Sequence, residues 1–253
     1  MGEHIARATP TKKKSSNIFW NIVGVIGELL ITFAFVIGLF SVWQLYWTTY
    51  QVAGQVTQTI ASYEEEHQPS KRTQGETRTD APPEFTREVA SGEVYGLVHV
   101  PTWDWMKIPL AEGTTSYVLD QGWAGHYDMT TQPGGVGNFS VAGHRRTYGN
   151  NFRWIDRLTQ GDKVVVEVDD HYLVYSMVSS EIIDATDPTQ MRVVAPVIDD
   201  ESWSEVPTER WMTMTTCHPE YGNWQRYIVH LKFESWTPKD TGVPAELVDE
   251  PTN

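Results

Sequence analysis

The chain has 253 residues, 40% hydrophobic and 21% charged, a composition that fits one or two globular units with accessory segments. Its formal net charge of -14, with no basic stripe interleaved with aromatics, argues against a general nucleic-acid binder. One cysteine, Cys217, excludes an intramolecular disulfide and any multi-thiolate metal site.

Residues 1–17 are polar and carry Lys12, Lys13 and Lys14, and they read as a cytoplasmic tail. Over 18–47 the only charge is Glu28, and the run ends in Trp43, Tyr46 and Trp47. A bilayer-spanning helix needs about 20 mostly apolar residues and is commonly closed by an aromatic belt. A transmembrane anchor is therefore expected over 18–47, with the N-terminus inside and the rest of the chain outside. A cleaved signal peptide fits less well, because its core is roughly 7–15 residues long and ends in an Ala-x-Ala-like site. Residues 48–91 are rich in Gln, Thr, Glu, Lys, Arg and Pro. They read as an extracellular stalk with a helical start over 51–63, unable to bury enough surface to fold alone.

The folded domain is expected over 92–235. Alternating and β-branched patterns predict strands over 94–100, 106–110 and 138–143, then a hairpin of 163–168 with 172–179, extended by 181–184. A helical turn is expected at 115–119 and a short helix at 151–158, where Phe152, Ile155 and Leu158 recur at helical spacing. The segment 187–207 is a Pro- and Asp-rich loop. Alternation over 211–217 predicts a strand ending in Cys217, and after a Pro219-Glu-Tyr-Gly-Asn223 turn a partner strand begins at Arg226. Many short strands and little helix imply one antiparallel, all-β barrel or sandwich. The Pro-, Asp- and Glu-rich segment 236–253 reads as a disordered tail.

Thiol chemistry needs a thiolate, a proton carrier and a donor for a developing oxyanion. A lone strand cysteine is more often a packed small hydrophobe. Here it precedes a polar turn and follows Thr215 and Thr216, where a buried strand favours Val or Ile. Arg226 supplies a permanent guanidinium fork. Among the histidines, His218 should point away from the thiol, because consecutive strand residues face opposite sides. His230 lies mid-strand. His126 and His144 both follow glycines, and spacing does not rank one above the other. No His-x-x-x-His or His-Glu-x-x-His spacing occurs, and Asp199-Asp-Glu201 has no calcium-loop pattern, so neither metal nor cofactor is expected.

Gly125-His-Tyr127, Gly137-Asn-Phe-Ser-Val-Ala-Gly-His-Arg145, Gly161-Asp162, Thr213-Met-Thr-Thr-Cys217 and Gln225-Arg-Tyr-Ile-Val229 follow one another over 92–233. In this order they resemble the sortases, cell-surface cysteine transpeptidases of Gram-positive bacteria. The resemblance implies a single closed sortase-type β-barrel with short helices. It implies a catalytic set of Cys217, His144 and Arg226, and substrate contacts at Tyr148, Thr216, His126 and Asn138. Cys217-His-Pro219, Tyr148 and the N-terminal anchor are similar to class E. That likeness implies cleavage of a Leu-Ala-x-Thr-Gly or Leu-Pro-x-Thr-Gly sorting signal between Thr and Gly, with Tyr148 tied to the Ala preference. The expected partners are secreted proteins carrying that C-terminal signal, the amine of a peptidoglycan precursor (lipid II) as acceptor, and the membrane through the N-terminal helix. Alternatives are a pilus-assembly enzyme using a pilin lysine, and a barrel that keeps the groove but catalyses nothing.

Overall fold

The computed structural model describes residues 17–251. The lysines of the tail lie outside the described residues. The chain divides into two units, one up to Gln44 and one from Leu45 onward.

The first unit is the N-terminal part of a helix, α1, whose bounds are Asn17–Glu66. Leu29, Leu30, Ile31, Phe33 and Phe35 there are 63–72% exposed. A helix that is apolar all round and uncovered by protein has the character of a membrane span, and this stretch is long and apolar enough to be one.

The second unit is built on a closed barrel of eight strands in the order β1-β2-β3-β4-β7-β8-β6-β5. The strands are β1 Val94–Val100, β2 Met106–Glu112, β3 Ala124–His126, β4 Gly137–Ala142, β5 Lys163–Val168, β6 His171–Asp184, β7 Arg210–His218 and β8 Gln225–Pro238. A short helix, α2, covers Ser116–Leu119. The interior holds Val98, Ile108, Leu110, Phe139, Val141, Val164, Val166, Leu173, Met212, Met214 and Leu231. Outward faces are apolar in three places because each is covered. Val165 and Val174 lie under Val243 and Leu247, and Leu97 lies under Ile60 and Tyr63. Ile183 and Ile228 lie under Val193 and Val194. A strand buried on both sides loses the simple alternation of a half-exposed one, which accounts for the Val-Val-Val run at 164–166.

Three expectations need correction. The 48–91 segment is not a free stalk: α1 runs to Glu66, and Val52, Ile60 and Tyr63 on it are buried. Beyond it, backbone bonds tie Gly75 to Val243 and Arg78 to Trp236. The tail is not disordered. β8 reaches Pro238 and a 3₁₀ turn forms at Ala245–Leu247, because Val243 and Leu247 cover the wall and Glu250 meets buried cations. The helix expected at 151–158 shrinks to a 3₁₀ turn at Ile155–Arg157.

Glu250 belongs to a buried ionic clasp. His99 donates from Nε2 to Glu167 at 2.9 Å and bonds Glu250 through Nδ1 at 2.8 Å. Lys107 reaches Glu64 at 2.6 Å and Glu250 at 3.1 Å, and Lys239 reaches Glu167 at 2.8 Å. Burial alone would pull the His99 imidazole down, but its hydrogen bonds to the two carboxylates outweigh that and raise it to about 9. The clasp joins the end of α1, the barrel wall and the C-terminal segment.

Candidate active site

Cys217 and Arg226 are direct cross-strand partners at the ends of β7 and β8. Paired residues share a sheet face and residues two apart return to it. Met212 and Met214 fill the interior, so Thr213, Thr215 and Cys217 face outward, together with Ile228 and Arg226 across the ladder. β4 runs parallel to β7 with Ala142 beside Thr215. Two residues on, just past the end of β4, comes His144, and its neighbour Arg145 meets His218 rather than Cys217.

The junction is pinned where β4 ends. The Gly143 N–H donates to the Thr215 carbonyl at 3.1 Å, and the Thr216 hydroxyl donates to the Gly143 carbonyl at 2.6 Å. A Cβ at position 143 would stand 2.7 Å from the Phe152 ring, so only glycine lets His144 leave the strand here. Asp120, at the C-cap of α2, holds the His144 ring through Oδ1–Nε2 at 2.8 Å. The bond fixes the ring and, in the neutral form, the tautomer that carries its proton on Nε2. Tyr148 stacks on the other side, with centroids 5.4 Å apart and planes at 29°.

Cys217 is half-buried. Arg226 donates from Nη1 to the carbonyls of Asn223 at 2.7 Å and Gln225 at 2.9 Å, which leaves Nε and Nη2 as the fork's other edge. Tyr127 completes the face: its hydroxyl lies 2.9 Å from the Thr215 hydroxyl. Burial pushes the Tyr127 phenol up, while the Thr215 bond and the Arg226 charge oppose that, and the thiolate form of Cys217 would push it further up. The phenol therefore lies within electrostatic reach of both. Tyr127 and Trp203 pack against Ile183, Val193, Val194 and Ile228, an apolar patch continuous with the Cys217 face.

A second layer lies behind. Arg145, His218 and Tyr227, each next in sequence to a residue of the trio, face the other way and meet one another. Arg145 Nη1 donates to His218 Nδ1 at 2.7 Å and Nη2 to Asp156 at 2.6 Å. The Arg145 guanidinium and the His218 ring lie 5.7 and 5.8 Å from the Tyr227 ring. Burial and the Arg145 charge hold the His218 imidazole below its ordinary range. The layer ties together the three strand ends that carry His144, Cys217 and Arg226.

His126, Asn138 and Thr216, expected to touch substrate, are all enclosed. His126 has no exposed surface and is held by Glu112 at 2.9 Å and the Thr131 carbonyl at 3.0 Å. Asn138 donates to the carbonyls of Val193 and Ala195, both at 3.1 Å, so it fastens the loop that walls the apolar patch. Thr216 makes the Gly143 bond described above. Each shapes the site from behind its surface. Asp120, Tyr127 and Arg145 were not singled out by sequence reasoning. Tyr127 and Arg145 stand inside the quoted motifs, whereas Asp120 lies in a turn with no local signature and meets His144 only through the tertiary fold.

The sortase domain family model matches residues 98–234. Sortase SrtE1 of Streptomyces coelicolor is 36% identical over 229 residues, which is 88% of this chain and 60% of that protein's length. The SrtA sortase from Actinomyces oris superposes with a TM-score of 0.64 at 43% identity, covering 70% of this chain and all of that one. Sortase E1 from Streptomyces coelicolor, solved with a tripeptide in its active site, superposes at 0.55 with 38% identity, over 63% of this chain and 99% of that one.

Proposed function

This chain belongs to the sortase family of cysteine transpeptidases, and from that premise we propose that Cys217, His144 and Arg226 perform the transfer here. The observation that carries the reading is that Cys217 and Arg226 are cross-strand partners, while His144 follows directly on the end of the adjacent strand β4. The Cys217 thiolate attacks the Thr carbonyl carbon of a Leu-Ala-x-Thr-Gly or Leu-Pro-x-Thr-Gly signal. A C–S bond forms and the carbonyl electrons move to oxygen, where Arg226 donates hydrogen bonds. Collapse of this intermediate breaks the Thr–Gly C–N bond, and protonated His144 gives its proton to the departing glycine amine. The thioester is resolved by an acceptor amine, which loses a proton to His144 as the thiolate leaves.

The buried apolar cluster of Ile183, Val193, Val194 and Ile228, with Tyr127 and Trp203 packed against it, would back the place that takes the leucine and the alanine or proline of the signal. Tyr127 in its wall and Tyr148 on His144 would be the side chains that read that second position. The uncovered part of α1 would anchor the enzyme, with the N-terminus cytoplasmic and the barrel outside. The clients would be secreted proteins bearing the signal at their C-terminus. The acceptor would be the amine of lipid II.

The test uses the full-length protein in detergent micelles with both signal peptides and an amine. Cys217→Ala should form no thioester, and His144→Ala should be severely impaired. Arg226→Ala should lose roughly 10²–10³ in kcat, as for one oxyanion donor. Near-normal turnover in any of the three would remove that residue from the mechanism.

A further inference from the structure

The part of α1 in the second unit reaches the loops around His144. Val52 is 8% exposed. A Cβ at Gly122 would stand 2.9 Å from a Val56 methyl, 3.0 Å from the Tyr148 carbonyl and 3.5 Å from a Val52 methyl. A Cβ at Gly149 would lie 3.6 Å from the same Val52 methyl and from the Gly122 Cα. Both glycines have φ in the left-handed region, at +79° and +96°. Two loop backbones therefore run side by side under the helix, bare of side chains, and Val52 rests on both. Gln55 adds a hydrogen bond to Gln121 at 2.7 Å.

These loops are the ones that hold the imidazole. Asp120 adjoins Gln121 and bonds His144; Tyr148 adjoins Gly149 and stacks on it. We infer that Val52, Gln55 and Val56 are positioning residues for His144, clamping Asp120 and Tyr148 about its ring, so that this stretch of α1 is a working part of the active site rather than a spacer. The inference rests on the reading of His144 as the proton carrier.

A covering helix could instead contribute only stability. Ile60 helps to separate the two roles: it packs with Tyr63 against Leu97 of β1, a cluster that Val56 also touches but that includes neither Val52 nor Gln55, and it is as buried as Val52. The test uses the full-length protein in micelles and exploits the single cysteine. Iodoacetamide alkylation of Cys217 is followed from acid to alkaline pH, with no substrate needed, beside cleavage of a Leu-Ala-x-Thr-Gly peptide. The Val52→Ala/Gln55→Ala variant should lower kcat by about tenfold, with KM within about twofold, since ångström-scale misplacement of a catalytic group costs up to about 10². Its alkylation rate near neutral pH should change by about threefold, because the proposed proton carrier has moved relative to the thiol. Ile60→Ala should lower Tm and leave both readouts as in wild type. Gln55→Ala alone removes one exposed bond and no buried surface, so it is expected to fold; it should move both readouts in the same direction by about twofold. If the Val52 and Gln55 variants behave like Ile60→Ala in both readouts, the positioning role is overturned. If His144→Ala leaves the alkylation profile and cleavage unchanged, the underlying reading of His144 fails, and the inference falls with it.

Discussion

Charged groups are used in opposite ways at the rim of the barrel and on its wall. In the wall clasp, the side chains of His99, Glu167, Lys107, Lys239 and Glu250 are 3–6% exposed, and each meets an opposite charge within 3.1 Å. At the rim, His144 and Asp120 keep 26% and 35% of their surface, and Arg226 is bonded to backbone carbonyls rather than to a carboxylate. A guanidinium already neutralised by a buried acid would have little left for an oxyanion, whereas one resting on carbonyls can exchange them for substrate. The wall is charge-paired and holds remote segments together. The rim is incompletely satisfied, which is what chemistry requires.

The sharpest way to break this contrast is to exchange the readouts. Cys217→Ala should abolish turnover and leave thermal unfolding within about 1 kcal/mol of wild type, the usual range for a small change at a half-exposed position. Glu250→Ala should do the reverse. It strips His99 and Lys107 of one of their two counter-charges; with Glu167 and Glu64 remaining, the loss should stay below the roughly 3–5 kcal/mol of an uncompensated buried charge, while kcat well below Tm stays close to wild type. If Glu250→Ala lowered kcat in a protein still fully folded, the wall would not be a purely structural region.

A smaller effect should follow pH. His99 has a folded-state pKa of about 9 against 6.5 for a free histidine. A raised pKa means the folded state binds the proton more tightly, so this stabilisation is complete below pH 6.5 and is lost as pH rises through about 9. The shift corresponds to about 3 kcal/mol at most. Denaturant unfolding at pH 6 and pH 10 should show the decline, and His99→Gln should flatten it. An equal decline in His99→Gln would place the titrating group elsewhere.

The two regions also differed in how far the sequence disclosed them. The strands carrying Cys217 and Arg226 were legible because pleat parity and the turn at Pro219 fix which residues share a face, whereas His144 was set above His126 only by the resemblance to sortases. The barrel was legible from short β-branched runs. The clasp was not. Glu250 sits in a Pro- and Asp-rich stretch whose composition resembles disorder, and its order depends on two cations more than 140 positions earlier, His99 and Lys107. Asp120 escaped for the same reason: a turn aspartate becomes a histidine's partner only when α2 docks beside β3. His126 and Asn138 misled because motif membership identifies a residue the fold needs without saying whether it faces substrate or braces the wall.

The smallest expected effect tests whether the rim is tuned for recognition rather than for stability. Tyr127→Phe removes one hydroxyl whose single hydrogen bond is to Thr215 at 2.9 Å. Such a bond contributes about 1 kcal/mol net, and Thr215 is itself 4% exposed, so its hydroxyl would be left partly unpaired. Stability should therefore fall by about 1 kcal/mol. The ring remains, and with it the packing against Ile183, Val193, Val194 and Ile228. What changes is the polarity of the wall that the proposed binding mode sets beside the second position of the signal. The ratio of kcat/KM for the Ala-containing signal over the Pro-containing one should then shift by about three- to tenfold, the size expected for a contact of about 1 kcal/mol. Tyr148→Phe is the paired control. It keeps the stacking surface on His144, so it should leave that ratio unchanged if Tyr127 reads the signal. If only Tyr148→Phe moves the ratio, recognition lies on the His144 loop, and the Tyr127–Thr215 pair belongs with the bracing residues of the wall.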